Sequence, residues 1–449
     1  MTLLPAGPPA PLVTPGWTVP RLPTARRSAL VGVVRMAMAS TGTDAGRSAP
    51  TGPDAGATSG GPGGRPGRGR IGLVLGAIAV AVAVLVGVLT LLGRDDGGVP
   101  VADFGAVGDG VADDGAALQE ALDAVPEGGT LVLEDGATYR YSQVLTVDNP
   151  GLTIEGAGAT LQASDETASA LKVVADDVTV TGLTLTTPNI TQRWDPFEST
   201  MVWVAADSAV LRDVHVQGAG GAGIAVTDGA GDFLLDRVTV TDSRADGIHI
   251  TDQAHDGRVV SPVTTGTGDD GVAVVSYMKD GGPSERITIE SPTVNGTTWG
   301  RGISVVGGND ITYTDVTVRD TDAAGIYVGS EGDPYWTYPS VDVLVDGGTV
   351  TGANTNADKD HGAVLVYAGN ADTTTSDVTV RDLTISGTRT SSPWDVGVLA
   401  DPDSAVEQVT FEDFRISEGP AVPFYTNEPA AVRLTELEDD GAPVPDQGD

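Results

Sequence analysis

The sequence predicts an all-β solenoid, a right-handed parallel β-helix, on three observations. Short β-branched runs recur: VTVTGLTL (178–185), LLDRVTVTD (234–242), RITIESPTV (286–294), ITYTDVTVRD (311–320), VTVRDLTISG (378–387) and QVTFEDFRIS (408–417). A second element, Gly-apolar-any-apolar, follows most of them: GIAV (223–226), GIHI (247–250), GVAV (271–274), GISV (302–305), GIYV (325–328), GAVL (362–365) and GVLA (397–400). The first five of these are spaced 24, 24, 31 and 23 residues apart. Period-two alternation makes each run one or two strands. A propeller blade needs about 40 residues, so this period is too short for one. It fits a solenoid coil, which cannot bury its apolar residues alone and stacks on its neighbours about 4.8 Å apart. The longer gaps place loops at 276–285, 328–341 and 351–361.

What precedes the repeat is different in kind. Residues 1–70 are rich in Pro, Gly, Ser and Thr and carry eight arginines against two aspartates. Such a segment has too little apolar surface to fold and is expected to be disordered. Next comes IGLVLGAIAVAVAVLVGVLTLL, Ile71 to Leu92, 22 residues without a charge. At about 1.5 Å per residue it spans a bilayer core of about 30 Å, so residues 71–93 are expected to be a transmembrane anchor. Arg65, Arg68 and Arg70 precede it, and Asp95 and Asp96 follow. The positive-inside rule then puts the N-terminus in the cytoplasm and the β-helix, residues 97–435, outside a single-pass cell membrane anchor. No small-x-small cleavage site follows the apolar run. Met36 and Met38 are alternative translation starts to Met1, a point that N-terminal sequencing of the native protein checks.

The net charge of −37 becomes −43 once residues 1–70 are set aside. That balance argues against nucleic-acid partners. The absence of cysteine excludes disulfides, zinc-thiolate sites and a cysteine nucleophile. The closing run ELEDDGAPVPDQGD (436–449) reads as an acidic disordered tail.

A solenoid needs a cap on its first coil. VADFGAVGDGVADDGAALQEALDAVPEGGTLVLEDGATY (101–139) supplies one. Asp113 or Asp114 can N-cap a helix over about residues 115–124, with Leu118, Ala121 and Leu122 as its apolar stripe. The Asp-Phe-Gly-Ala…Gly-Asp-Gly…Asp-Asp pattern resembles the opening of the pectate-lyase-like β-helix superfamily, which includes polygalacturonases, rhamnogalacturonases and uronan epimerases. The resemblance implies a carbohydrate-active protein with a polysaccharide substrate or ligand.

Stacking makes equivalent positions neighbours. The residue before each Gly-apolar motif reads Ala222, Asp246, Asp270, Arg301 and Ala324 down the coils. Asp269 falls beside Ala245 and Gly300. The outward position within the motif reads Ala225, His249, Ala273, Ser304 and Tyr327. Asp246, His249, Asp269, Asp270, Arg301, Ser304 and Tyr327 are therefore expected to form one surface patch over four coils. In the insertion DPYWTYP (333–339), Trp336 is an aromatic that can stack on a sugar face or pin its own loop.

RADGIHI and GDDGVAV resemble two of the four motifs of polygalacturonase-type glycoside hydrolases, at Asp246 and at Asp269 and Asp270. WGRGISV has Arg301 where that family has histidine, and AGIYVGS lacks its basic pair. The resemblance implies Asp269 as general acid and Asp246 and Asp270 as the carboxylates that activate water. His249, Arg301, Ser304, Tyr327 and Trp336 would contact substrate. No cofactor is required on this reading. The missing basic pair and the acidic chain point away from plain galacturonan toward a neutral glycan. The stretch from GDDGVAVVSY to VDVLVDGGTV also resembles alginate epimerases. That resemblance implies a lyase or epimerase with His249, Tyr277 or Arg301 as base and calcium held by Asp246, Asp269 and Asp270. A third reading is a non-catalytic glycan-binding or structural solenoid, because Asp is common at turns.

Overall fold

The computed structural model describes residues 97–448. The expected disordered segment 1–70 and anchor 71–93 lie outside the described residues. Among the described residues no helix is long and apolar enough to cross a membrane.

The repeat folds as a parallel β-helix, built from a sheet of 22 short strands and a second sheet of 11 among the described residues. Apart from the closing strand Ala442–Pro443, the strands pair in parallel with their counterparts one coil away. In the eleven-strand sheet Ile224, Ile248, Val272, Ile303 and Ile326 stand in register. Leu211, Leu235, Val259 and Ile289 stack in the interior as one continuous apolar core, while strands of the eleven-strand sheet such as Val272–Val275 and Ile303–Val306 are buried on both faces, with Ala273, Val275, Val306 and Tyr327 in a second apolar cluster.

Two residue types in the composition find their reason here. The motif glycines face the interior: a Cβ on Gly271 would lie 2.6 Å from the Val294 side chain, and one on Gly302 2.3 Å from that of Val318. Many of the aspartates take the left-handed conformation, between strands as at Asp213 or at bends within them as at Asp242, Asp315, Asp382 and Asp413. Asp is one of the few residues with a side chain that visits this conformation readily. Part of the acidity is thus a consequence of the coil geometry.

The cap is the helix Gly115–Ala124, with Leu118, Ala121 and Leu122 buried against the first coils. Asp114 precedes it, but its carboxylate does not cap the helix. It accepts the Val107 and Gly108 N–H groups at 2.7 and 3.1 Å, while Asp113 accepts the Gly115 N–H at 3.1 Å. At the other end the final coil extends past residue 435. The strand Val432–Asp439 buries Leu434 and Leu437, and Ala442–Pro443 folds back on it antiparallel. Residues 436–443, assigned from their charge to a disordered tail, belong to this hairpin because Leu437 pairs with Phe414 on the preceding coil.

Candidate active site

Two residues before the aligned Ile248, Val272, Ile303 and Ile326 stand Asp246, Asp270, Arg301 and Ala324. The backbone joins three of them into a ladder. Asp270 N–H donates to Asp246 Oδ1 at 2.9 Å, and Arg301 N–H donates to Asp270 Oδ1 at 2.6 Å. Each carboxylate thus satisfies a backbone donor of the next coil. The second oxygens are also engaged. Asp246 Oδ2 lies 2.5 Å from His249 Nδ1. Asp270 Oδ2 accepts the Ser304 hydroxyl at 2.5 Å and lies 3.6 Å from the Arg301 guanidinium. Arg301 itself pairs with Glu331 and lies 4.3 Å above the Tyr327 ring.

Asp269 is held differently. Gly300 of the next coil lies flat on its backbone, where a Cβ would come within 2.3 Å of the Asp269 carbonyl carbon. Its Oδ2 accepts a 2.7 Å hydrogen bond from Arg193 Nη1. Arg193 belongs to the insertion between the strands Thr184–Thr186 and Val202–Val204, three coils earlier in the stack. Thr191 ties that insertion to Glu166 through two 2.6 Å bonds, and Trp194 N–H donates to Gly220 O at 2.9 Å. Arg193 and Glu331 are site residues that the repeat does not reveal, because both lie in insertions.

Burial sets the electrostatics. The Asp269 carboxyl is pushed up to about 7, first by burial and then by the charges of Asp246 and Asp270, with Arg193 opposing. Asp270 is also raised by burial, against the opposing Arg301 guanidinium. Burial raises Tyr277 as well. The nearest oxygens of Asp246, Asp269 and Asp270 lie within 4.8 Å of one another. A buried carboxyl that is protonated near neutrality, beside other carboxylates, is the usual physical arrangement of an acid and a base in one site.

A protein-family model described as rhamnogalacturonase A/epimerase, pectate lyase-like, matches residues 98–331. The chain belongs to this family. Among solved structures it resembles the catalytic unit of a GH87 α-1,3-glucanase from Streptomyces thermodiastaticus, with 20% identity, a TM-score of 0.59, and coverage of 79% of this chain and 72% of that one. A GH87 α-1,3-glucanase catalytic domain with an aspartate replaced by alanine, in complex with tetrasaccharides, gives 14% identity, a TM-score of 0.59 and coverage of 77% and 69%. The mannuronan C-5 epimerase A-module of Azotobacter vinelandii gives 18% identity, a TM-score of 0.49 and coverage of 73% and 97%. No curated protein matches the chain.

Within this pectate lyase-like scaffold the expected patch assembles, but its members divide. Asp246, Asp269, Asp270 and His249 converge. Ser304 and Tyr327, expected to touch substrate, are 1% and 2% exposed. Their position in the strand is outward, yet Ser304 is spent on Asp270 and Tyr327 lies beneath Arg301, so both support the site from below. Trp336 is half exposed, in an insertion fastened beside the site: its carbonyl accepts Met278 N–H at 2.8 Å, and Tyr277 bridges Thr337. The carboxylates do not splay to the separation of about 6.5–9.5 Å that inverting hydrolases use. The backbone ladder draws Asp246 and Asp270 together.

Three carboxylates this close are also the donor set that calcium prefers. Five of the six oxygens here each already meet one donor, from His249, Ser304, Arg193 and two backbone N–H groups, and Arg193 and Arg301 supply positive charge with which a cation would compete. A recess of about 590 Å³, lined by Asp228, Asp252, His255 and Glu285, lies beyond the opposite ends of these strands.

Proposed function

We propose that the chain is a glycoside hydrolase that cleaves a neutral polysaccharide. The observation that carries this reading is Asp269, a buried carboxyl protonatable near neutrality, set against Asp246 and Asp270 on the same and the neighbouring coil. Asp269 donates its proton to the glycosidic oxygen as the bond to the anomeric carbon breaks. Asp246 and Asp270 polarise a water and accept its proton as the new bond forms, an inverting displacement that requires the bound sugar to draw Asp269 away from the pair and admit the water between them. The proton lost by Asp269 and the proton gained by the pair are both exchanged with solvent, which restores the site. The glycosidic oxygen enters where Arg193 now meets Asp269. His249 orients Asp246, and Ser304 and Arg301 orient Asp270.

Two further points support it. In the solved α-1,3-glucanase complexes, alanine variants replace three aspartates that lie 23 and then 1 residue apart. Asp246, Asp269 and Asp270 have the same spacing. Arg193 and Arg301 are paired with Asp269 and Glu331, and the surrounding chain is strongly acidic, so a neutral glucan is the favoured class. The test is a polysaccharide panel incubated with the protein, with products read by mass and reducing ends. Reducing ends from a neutral glucan are expected. An unsaturated, ultraviolet-absorbing product would move the reading to a lyase. The proposed site of action is the outer face of the cell membrane, with residues 71–93 as anchor. Protease digestion of the β-helix on intact cells checks it.

A further inference from the structure

We propose that Trp299 is a sugar-stacking platform one coil beyond the catalytic aspartates, locked by Lys359 to take the apolar face of a neutral pyranose; this rests on the carbohydrate reading above. Trp299 is 45% exposed in a chain whose core is mostly aliphatic. It directly precedes Gly300, the residue lying on the Asp269 backbone, so the platform is rooted one coil on from the proposed acid.

The second observation is independent of exposure. The insertion at 351–361 sends Lys359 back across a coil to the ring. Lys359 Nζ lies 4.4 Å from the ring centroid, donates to the Trp299 carbonyl, and pairs with Asp322 at 2.9 Å. The Lys359 carbonyl is itself fixed by Arg389 and Asn354, each at 2.7 Å. An exposed tryptophan ordinarily loses side-chain freedom when it binds. This one has that freedom removed in advance, which is how preorganisation raises affinity. Asp322 neutralises the lysine, so the platform carries no net charge with which to select an anionic chain. What remains exposed is indole surface, which suits the C–H face of a neutral hexose.

The experiment is calorimetric titration of neutral gluco-oligosaccharides into the full-length chain carrying Asp270→Asn, which silences turnover. Trp299→Ala should weaken binding about tenfold. Trp299→Phe should keep most of the affinity, and Lys359→Met should lose a few-fold. Melting temperatures should match the parent within a degree or two. Unchanged affinity in Trp299→Ala, or a loss that phenylalanine does not restore, overturns the platform. Binding that depends on Trp299 without hydrolysis by the wild type removes the hydrolase reading and leaves the platform. Hydrolysis with Trp299-independent affinity removes the platform alone. No binding of any glycan by the Asp270→Asn chain removes both.

Discussion

Asp270 and Asp395 are both buried aspartates at strand mouths of the same sheet, and one register position separates their fates. Asp270 stands two residues before its aligned strand residue, where its oxygens meet Arg301 N–H and the Ser304 hydroxyl. Asp395 stands one residue before, in the column otherwise held by Gly271, Gly302, Gly325 and Ala363. That column faces the core. Both Asp395 oxygens lack a hydrogen-bond partner and press on Gly419, where a Cβ would lie 2.5 Å from each. Burial pushes the Asp395 carboxyl up to about 7, and nearby Thr388 offsets a little of this without forming a hydrogen bond. Asp269 is pushed just as high, but its carboxylate neighbours Asp246 and Asp270 lie within 4.8 Å and its side chain keeps some exposure, whereas Asp395, raised by Asp439 and Asp440 as well as by burial, is fully enclosed. A perturbed carboxyl by itself therefore does not mark a catalytic one. Partners and access do.

The sharpest way to break the comparison is to neutralise both kinds of aspartate. Asp269→Asn should lower kcat by about 10²–10⁴-fold, the usual worth of a general acid, with no loss of melting temperature. Asp270→Asn should also abolish most turnover. If either variant keeps full activity in the reducing-end assay, the site is structural.

Asp395→Ala should do the reverse, leaving kcat unchanged and stabilising the fold in alkali. Its folded pKa lies above the unfolded value, so the native state keeps a proton that the unfolded chain has lost between about pH 4 and 7. Stability therefore falls as pH rises through that window. Removing the carboxyl should return up to about 4 kcal/mol at pH 8 and almost nothing at pH 4. Thermal melts at the two pH values decide it, and an equal shift at both would show that the orphan carboxyl costs nothing.

A subtler effect is expected at Arg193. Activity of the wild type should decline above about pH 7 as Asp269 loses its proton. Arg193→Gln removes the cation that favours the ionised form, so the alkaline limb of kcat/KM should move up by about one pH unit, with Arg193→Lys moving it part of the way back. The smallest effect belongs to Trp336→Ala, a few-fold rise in KM at unchanged kcat. A fall in melting temperature instead would assign Trp336 to loop packing.

Legibility in the sequence followed the repeat. The 23–24-residue spacing was enough to put Asp246, Asp270 and Arg301 in one column and His249 and Ser304 in another, because parallel pairing in register copies a sequence offset into a spatial stack. The capping helix was legible for the same reason, through the stripe of Leu118, Ala121 and Leu122. Arg193 and Glu331 were not legible. They lie in insertions that break the period, and no periodicity says how far such a segment reaches along the stack. The tail was misjudged because its acidic residues obscured Leu437.

By itself, then, the sequence determined the coil, the strand register and the column of carboxylates, all of which follow from local alternation and a fixed period. Only the tertiary structure decided which members of that column stay accessible. The burial of Ser304 and Tyr327, the closure of Arg193 on Asp269, and the orphaning of Asp395 depend on segments packed from other coils, and desolvation depends on everything that surrounds a group rather than on its place in the chain.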